Sequence, residues 1–242
     1  MKSGKIAVCI SGELRTGIEA YPIFKEFFRG HDVDVFIHTW DKDLTEEQKK
    51  EVVGLYKPTS INFEHPLDIR LGSFGSMFYS MMRANGQKAL HELETDEIYD
   101  VVVKYRFDLV FPKFTHFNPN IEPRTLYYTK HNHGLVHTDY QQNGISDVIL
   151  WGDSETMDLV SDTYIYYKKR SLPMIEFLAH KRNYDPHYAF LSPGTLIYRL
   201  MVDHNIHPIC VNGMRDILWR TDVKHLDPWN DYDKIKDRYE QV

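Results

Sequence analysis

Hydrophobic and polar positions change period along the chain so that short apolar runs alternate with amphipathic stretches. Residues 5–11 form a continuous apolar run of the kind that fits a strand buried on both faces. It ends in Ser11-Gly12-Glu13-Leu14-Arg15-Thr16-Gly17, and a helical pattern follows through Phe28. Gly30-His31-Asp32 marks a turn, and residues 33–38 read as a second strand. Residues 41–56 are helical, with Glu46, Glu47 and Glu51 near the start and Gly54 near the end, and 59–63 make a third strand. Strand, helix, strand, helix, strand in this order predicts parallel neighbours joined by right-handed crossovers. Phe74, Met77, Phe78, Met81 and Met82 then share one face of an amphipathic helix, and Asn85 falls on the same face. A buried amide must find partners, so Asn85 either clamps the helix to a neighbouring loop or turns towards a ligand.

Residues 100–108 read as a central strand. Val101, Val103, Tyr105 and Phe107 fall on one face, and Val102, Lys104, Arg106 and Asp108 on the other. Charged residues at the carboxyl end of a buried strand are costly unless they pair or meet a ligand, and in open α/β sheets ligands bind at that end. Two readings follow: a private Arg106–Asp108 ion pair, or a ligand-facing set. Further strands are predicted over 125–129, 147–151 and 207–211, with helices over 154–168 and from Ser192-Pro193-Gly194 to about His204. The polar, His- and Asn-rich segment 130–144 reads as a functional loop. The charged tail after Thr221 packs over the site or frays.

Composition narrows the classes. The 242 residues carry 29 Lys plus Arg against 35 Asp plus Glu, a net charge of −6, which opposes indiscriminate nucleic-acid binding while leaving room for a local basic groove. No apolar run approaches the ~20 residues of a membrane helix, and the N-terminal apolar stretch is too short for a signal-peptide core. Cys9 and Cys210 both lie in apolar runs, as buried free thiols of a reducing compartment do. One cytoplasmic domain spanning 1–242 is expected. The 16 Tyr and 13 His suit either an aromatic core or stacking against sugars and bases.

Among the residues that carry chemistry, Ser11-Gly12-x-x-Arg15-Thr16 stands directly after the first strand. Such a turn presents backbone N–H groups to a phosphate, with Arg15 adding charge and a fork of donors; the plain alternative is a strand–helix turn with a solvated Arg15. It is neither a Walker A loop nor a full dinucleotide fingerprint. His131, His133 and His137 have conceivable metal spacing, but no Cys or acid completes a zinc pattern, and a lid contacting sugar fits them better. The basic runs Lys168-Lys169-Arg170 and Lys181-Arg182 are explained by solvated helix ends unless the acceptor is nucleic acid.

Residues 6–16, the run Asp34-Val35-Phe36-Ile37-His38-Thr39-Trp40, Tyr79-Ser80 with Ala84-Asn85, and Tyr99-Asp100 leading to Arg106-Phe107-Asp108 occur in an ordered series. That series resembles a glycosyltransferase-like family of bacterial polysaccharide clusters, phages and large viruses. The resemblance implies a Rossmann-like GT-A fold, a mainly parallel sheet with helices on both faces, with a nucleotide-binding half over 1–110 and an acceptor or lid half over 111–242. It implies that Ser11, Gly12 and Arg15 face the nucleotide and its phosphates, that His38 and Trp40 lie near the base, and that Asn85 shapes the nucleotide pocket. Arg106-Phe107-Asp108 occupies the place of the Asp-x-Asp motif, whose carboxylates hold a divalent ion. With Arg106 replacing the first acid, Asp108 is left as a single contact for Mn²⁺ or Mg²⁺, and Arg106 is placed to neutralise diphosphate itself. Relatives often carry Pro-Glu where Ser192-Pro193-Gly194 stands.

An inverting transferase also needs a base for the acceptor hydroxyl. Asp147, at the start of a predicted strand, is the first candidate and Asp153 the second; a loop cap on Gly144 or Ser146 is the alternative for Asp147. The reading is a nucleotide-sugar-dependent glycosyltransferase acting on a glycan hydroxyl or on a modified pyrimidine in phage-type DNA. A non-catalytic nucleotide-binding protein on a degenerate transferase fold and a nucleotidyltransferase are the alternatives.

Overall fold

The computed structural model describes residues 4–66, 72–112, 115–129, 145–171, 193–211 and 217–218. The first half follows the sequence periods closely. Strands β1 (Ile6–Gly12), β2 (Val33–Trp40), β3 (Ser60–Glu64) and β4 (Val101–Tyr105) are all parallel to their neighbours in the order β3-β2-β1-β4. The sheet continues through β7 (Leu150–Gly152), β6 (Thr125–Thr129) and β8 (His207–Val211), giving seven strands. Strand β7 runs antiparallel to both β4 and β6, and β6 and β8 are parallel. The short β5 (Leu109–Val110) and β9 (Ile217–Leu218) pair separately as an antiparallel ribbon.

Helices cover both faces, which is why β1 is apolar from Ile6 to Ile10. Ile6, Val8, Ile10, Val101, Val103 and Tyr105 pack with α1 (Tyr21–Phe27) and α2 (Glu46–Tyr56). Ala7, Cys9 and Val102 pack on the other side with α3 (Gly72–Thr95) and α4 (Ser154–Ser161). The alternation along 100–105 therefore sorts side chains between two layers as expected. Burial pushes the Cys9 thiol up to about 12, so it is a core residue; Cys210 is only partly buried. Among the described residues, no helix is long and apolar enough to cross a membrane.

Local chemistry moved several boundaries. α2 begins at Glu46 rather than at 41 because Thr45 and Gln48 form a reciprocal capping box, and it ends at Tyr56 as expected, on a left-handed Lys57. α1 starts at Tyr21, with Pro22 in its first turn, where a missing N–H costs little. The helix expected over 154–168 breaks at Asp162. The Thr163 hydroxyl donates to the Val160 carbonyl (2.6 Å), competing with the helical ladder, and the chain resumes as α5 (Thr163–Tyr166) and a wide turn over Tyr167–Ser171. The helix α6 (Pro193–His204) is as expected.

One correction bears on function. The central strand stops at Tyr105, so Arg106, Phe107 and Asp108 form a turn leading into β5 and do not alternate across a strand. Likewise Asp147 does not begin β7, which starts at Leu150. The chain passes from β1 to β2 on one side and reaches β4 on the other. A crevice is expected where strand order reverses in this way, between the carboxyl ends of β1 and β4.

Candidate functional site

The turn after β1 and the turn after β4 face each other across that crevice. Gly12 has φ 116°, a left-handed conformation that favours glycine, and Arg15 has φ 44°. Arg15 thereby turns back over the sheet edge. Its Nη1 donates to Asp108 Oδ2 at 2.8 Å, and its Nε to Glu13 at 3.0 Å. Arg106 donates from Nε to Asp108 Oδ1 (2.9 Å) and from Nη2 to Oδ2 (3.0 Å). Asp108 is thus gripped by two guanidiniums while its side chain is only 2% exposed. Burial alone would push its pKa up, but Arg106 and then Arg15 outweigh this and hold the carboxyl far below the usual range. Burial works to lower the Arg106 pKa; Asp108, Asp147 and Glu13 outweigh it and raise it. Arg106 and Asp108 both stay charged at neutral pH.

These groups line a cavity of about 310 Å³, together with Ser11, Gly12, Glu13, Trp40, Lys104 and the first turns of α3 at Ser76 and Met77. That volume lies at the lower end of the about 300–1,000 Å³ common for small-molecule sites. Arg15 keeps 28% of its side chain exposed and Arg106 keeps 17%. The private ion pair anticipated for Arg106 and Asp108 exists, and it stands in the wall of an open cleft. Lys104, buried beneath it, donates to the carbonyls of Asp147 and Val148 and ties that segment to β4.

A second polar chain supports the turn from behind. Gly12 N–H donates to Ser80 Oγ (2.8 Å), Ser80 lies 2.8 Å from His38 Nδ1, and His38 Nε2 lies 3.0 Å from Glu64. Glu64 is an acceptor, so Nε2 carries the imidazole proton and the Ser80 hydroxyl donates to bare Nδ1. Burial lowers the His38 pKa more than Glu64 raises it, so His38 pairs with Glu64 as a neutral ring. Glu64 also accepts from Tyr79 at 2.7 Å and meets Arg83 at 3.3 Å. Trp40 stacks on Tyr79 with centroids 5.7 Å apart, leaving a half-buried aromatic surface at the cavity.

No family model matches the chain, and no curated protein matches it in sequence. Among the solved structures that it resembles are three glycosyltransferases. The apo glycosyltransferase GlyE of Streptococcus pneumoniae TIGR4 shares 12% identity at TM-score 0.42, over 86% of this chain and 45% of that one. A glycosyltransferase involved in glycosylating the major capsid of PBCV-1 shares 10% at TM-score 0.41, over 86% and 82%. The galactosyltransferase LgtC, solved with donor and acceptor sugar analogs, shares 11% at TM-score 0.42, over 86% and 73%. The chain thus spans less than half of GlyE's length. At such scores these are likenesses of outline, and the residues of the cleft have to carry the functional reading.

Of the residues expected to act, the structure brings Ser11, Gly12, Arg15, Trp40, Arg106 and Asp108 to one cavity. His38 lies behind it, fully buried, and orients Ser80 instead of facing a base. The Gly12 N–H is committed to Ser80, so that amide does not serve a phosphate. Asn85 is a clamp: its Nδ2 donates to Asp158 at 2.7 Å, joining α3 to α4, well along the helix from Ser76 and Met77. Asp153 caps α4 by accepting from Thr156 N–H (2.7 Å) and also accepts from Arg124 N–H (2.8 Å). It follows β7 next to the residue paired with Val102, near the amino end of β4 and so at the edge away from the cleft. Asp147 is half-buried and does not line the cavity, but it is near enough for its charge to act on Arg106.

Asp108 does not suit a divalent ion. Both of its oxygens are taken by guanidinium donors, and among the described residues no group of three His, Cys, Asp or Glu converges as a metal would need. The expected Mn²⁺ or Mg²⁺ contact at Asp108 would have to displace at least one of these guanidinium donors. A side chain at Gly194 would clash with the Ile145 backbone, so the position expected to carry an acid in relatives has no room for one here. His131, His133, His137, Lys181 and Arg182 lie outside the described residues, and Lys168 and Lys169 are exposed.

Sequence reasoning gives no site role to Glu13, Ser76, Met77, Ser80 or Glu64, although Met77 falls on the predicted helix face. Glu64 was within reach, since it is a polar residue ending a strand beside the ends of β1 and β2.

Proposed function

We propose that the chain is a glycosyltransferase that moves a sugar from a nucleotide-sugar donor to a hydroxyl acceptor. One observation carries this reading: two guanidiniums locked by a buried carboxylate meet a half-buried Trp at the switch point of a mainly parallel sheet. Guanidiniums match phosphate geometry, and fixed cations beside a departing diphosphate stabilise the charge that develops there. The donor's diphosphate lies against Arg15 and Arg106, and its base or sugar ring packs towards Trp40. In the transfer, the acceptor oxygen bonds to the anomeric carbon and the bond from that carbon to the diphosphate breaks. The nucleoside diphosphate departs with the electron pair. Asp147, an acid close to Arg106 that caps no turn among the described residues, takes the acceptor's proton. Residues 1–110 form the donor half and 111–242 the acceptor half of one GT-A-type domain, with a glycan hydroxyl as the acceptor.

A thermal-shift panel of nucleoside-diphosphate sugars tests the reading, because a ligand that binds only the folded state raises the melting temperature by mass action. At least one donor is expected to raise it; a flat response across the panel would end the proposal. One observation favours a second reading, a non-catalytic nucleotide-binding protein: Asp108 is bound by arginines and Asp153 by a helix start, which leaves few free acids. Release of free sugar from a bound donor separates the two, since a binder releases none.

A further inference from the structure

Where a transferase site of this shape would hold a divalent ion between carboxylates, this chain places two arginines. Taking the transferase reading above as given, we infer that the donor's diphosphate is held by Arg15 and Arg106 without a divalent cation, and that Asp108 is the anchor that aims them.

Three features carry the inference. Asp108 Oδ1 accepts from Arg106 Nε, and Oδ2 accepts from both Arg106 Nη2 and Arg15 Nη1, at 2.8–3.0 Å. A metal ion at Asp108 would have to displace at least one of these charge-assisted bonds and then sit beside two cations, which repel it. Second, the arginines come from different turns, after β1 and after β4, and one carboxylate holds both, so their separation is fixed before ligand arrives. Fixed donors cost no reorganisation on binding. Third, each guanidinium spends only part of its fork on carboxylates and lines the cavity, so N–H donors remain for phosphate oxygens. Glu13, which accepts from Arg15 Nε and is 62% exposed, can swing into solvent when an anion enters.

Titration calorimetry with nucleoside diphosphates, in EDTA and then in MnCl₂, tests this. A base is first selected by screening UDP, GDP, ADP and CDP. The expected result is binding in EDTA that Mn²⁺ changes by less than about threefold, and that falls about tenfold or more in Arg15→Gln, the loss for a hydrogen bond to a charged group. Supplying the first acid of the motif with Arg106→Asp should reverse the dependence, giving binding that requires Mn²⁺. Binding of the wild type only with Mn²⁺ overturns the inference while leaving the transferase reading intact. Unchanged affinity in Arg15→Gln overturns it as well, and that variant keeps the test decisive should Arg106→Asp fail to fold. Failure of every nucleoside diphosphate under both conditions defeats the transferase reading itself.

Discussion

Two clusters of buried charge lie at opposite ends of this sheet, and they differ in what they leave over. Near the amino end, the Lys88 ammonium is fully buried and donates to Glu92 (2.8 Å), Asp158 (2.7 Å) and Ser154 (2.6 Å). Glu92 in turn accepts from Ser154 and from the Tyr99 N–H. That cluster surrounds one cation with acceptors and closes the seam between α3 and α4. At the carboxyl end the arithmetic inverts: two cations share one buried carboxylate, and both reach an open cavity. Burial and perturbed ionisation are common to both clusters, since Glu92 and Asp108 are each held below the usual carboxylate range although burial alone would raise them. What marks the functional cluster is surplus positive charge with donors facing empty space.

Breaking each cluster should therefore have opposite signatures. Lys88→Met leaves two acids facing each other without their cation and should cost about 3–5 kcal/mol of stability in urea unfolding. Nucleoside diphosphate affinity should stay unchanged below the variant's transition. Arg106→Gln should weaken that affinity about 10- to 100-fold by calorimetry, as loss of a charged donor costs about 1.5–3 kcal/mol. A variant of the sealed cluster that changed affinity, or one of the open cluster that did not, would erase the contrast. Ser80→Ala leaves the Gly12 N–H without its acceptor and should cost about 1–3 kcal/mol in urea unfolding, with a smaller loss of affinity through the loosened turn.

The smallest effect is a pH slope. His38 has a lowered folded pKa, so the unfolded chain takes up a proton that the folded chain refuses as pH falls below about 6.5. Stability from this group is therefore full above that pH and is lost on the acid side, by up to about 1.4 kcal/mol per pH unit. In His38→Gln the difference from wild type should narrow as pH falls from 7 towards 5, as measured by urea unfolding; a constant difference would show that His38 does not titrate as described.

The parallel half was legible because its signals are periodic. An unbroken apolar run means a strand buried twice, and the spacing of Phe78 and Met81 means a helix face; both held. The cleft was legible in part, since Arg15, Arg106 and Asp108 end or follow strands whose carboxyl ends must converge. What failed was geometry that periodicity does not encode. Arg106 and Asp108 meet because the strand ends at Tyr105 and turns, and no two-residue repeat shows that. Of the two readings of Asn85 the clamp is the one observed, and Asp153 is a cap, because a helix seam and a helix start use the same residue types as a ligand site. Nor could the sequence show that Asp108 would spend both oxygens on arginines. That depends on Arg15, far away in the chain, adopting a left-handed backbone.

The central claim is that Arg15 and Arg106 together grip a donor's diphosphate, and a crystal structure with a bound nucleoside diphosphate tests it most directly. The account predicts phosphate oxygens within hydrogen-bonding distance of both guanidiniums, with Asp108 still bridging them. A nucleotide bound elsewhere, or one whose phosphates leave the Arg15–Asp108–Arg106 cluster untouched, would contradict it.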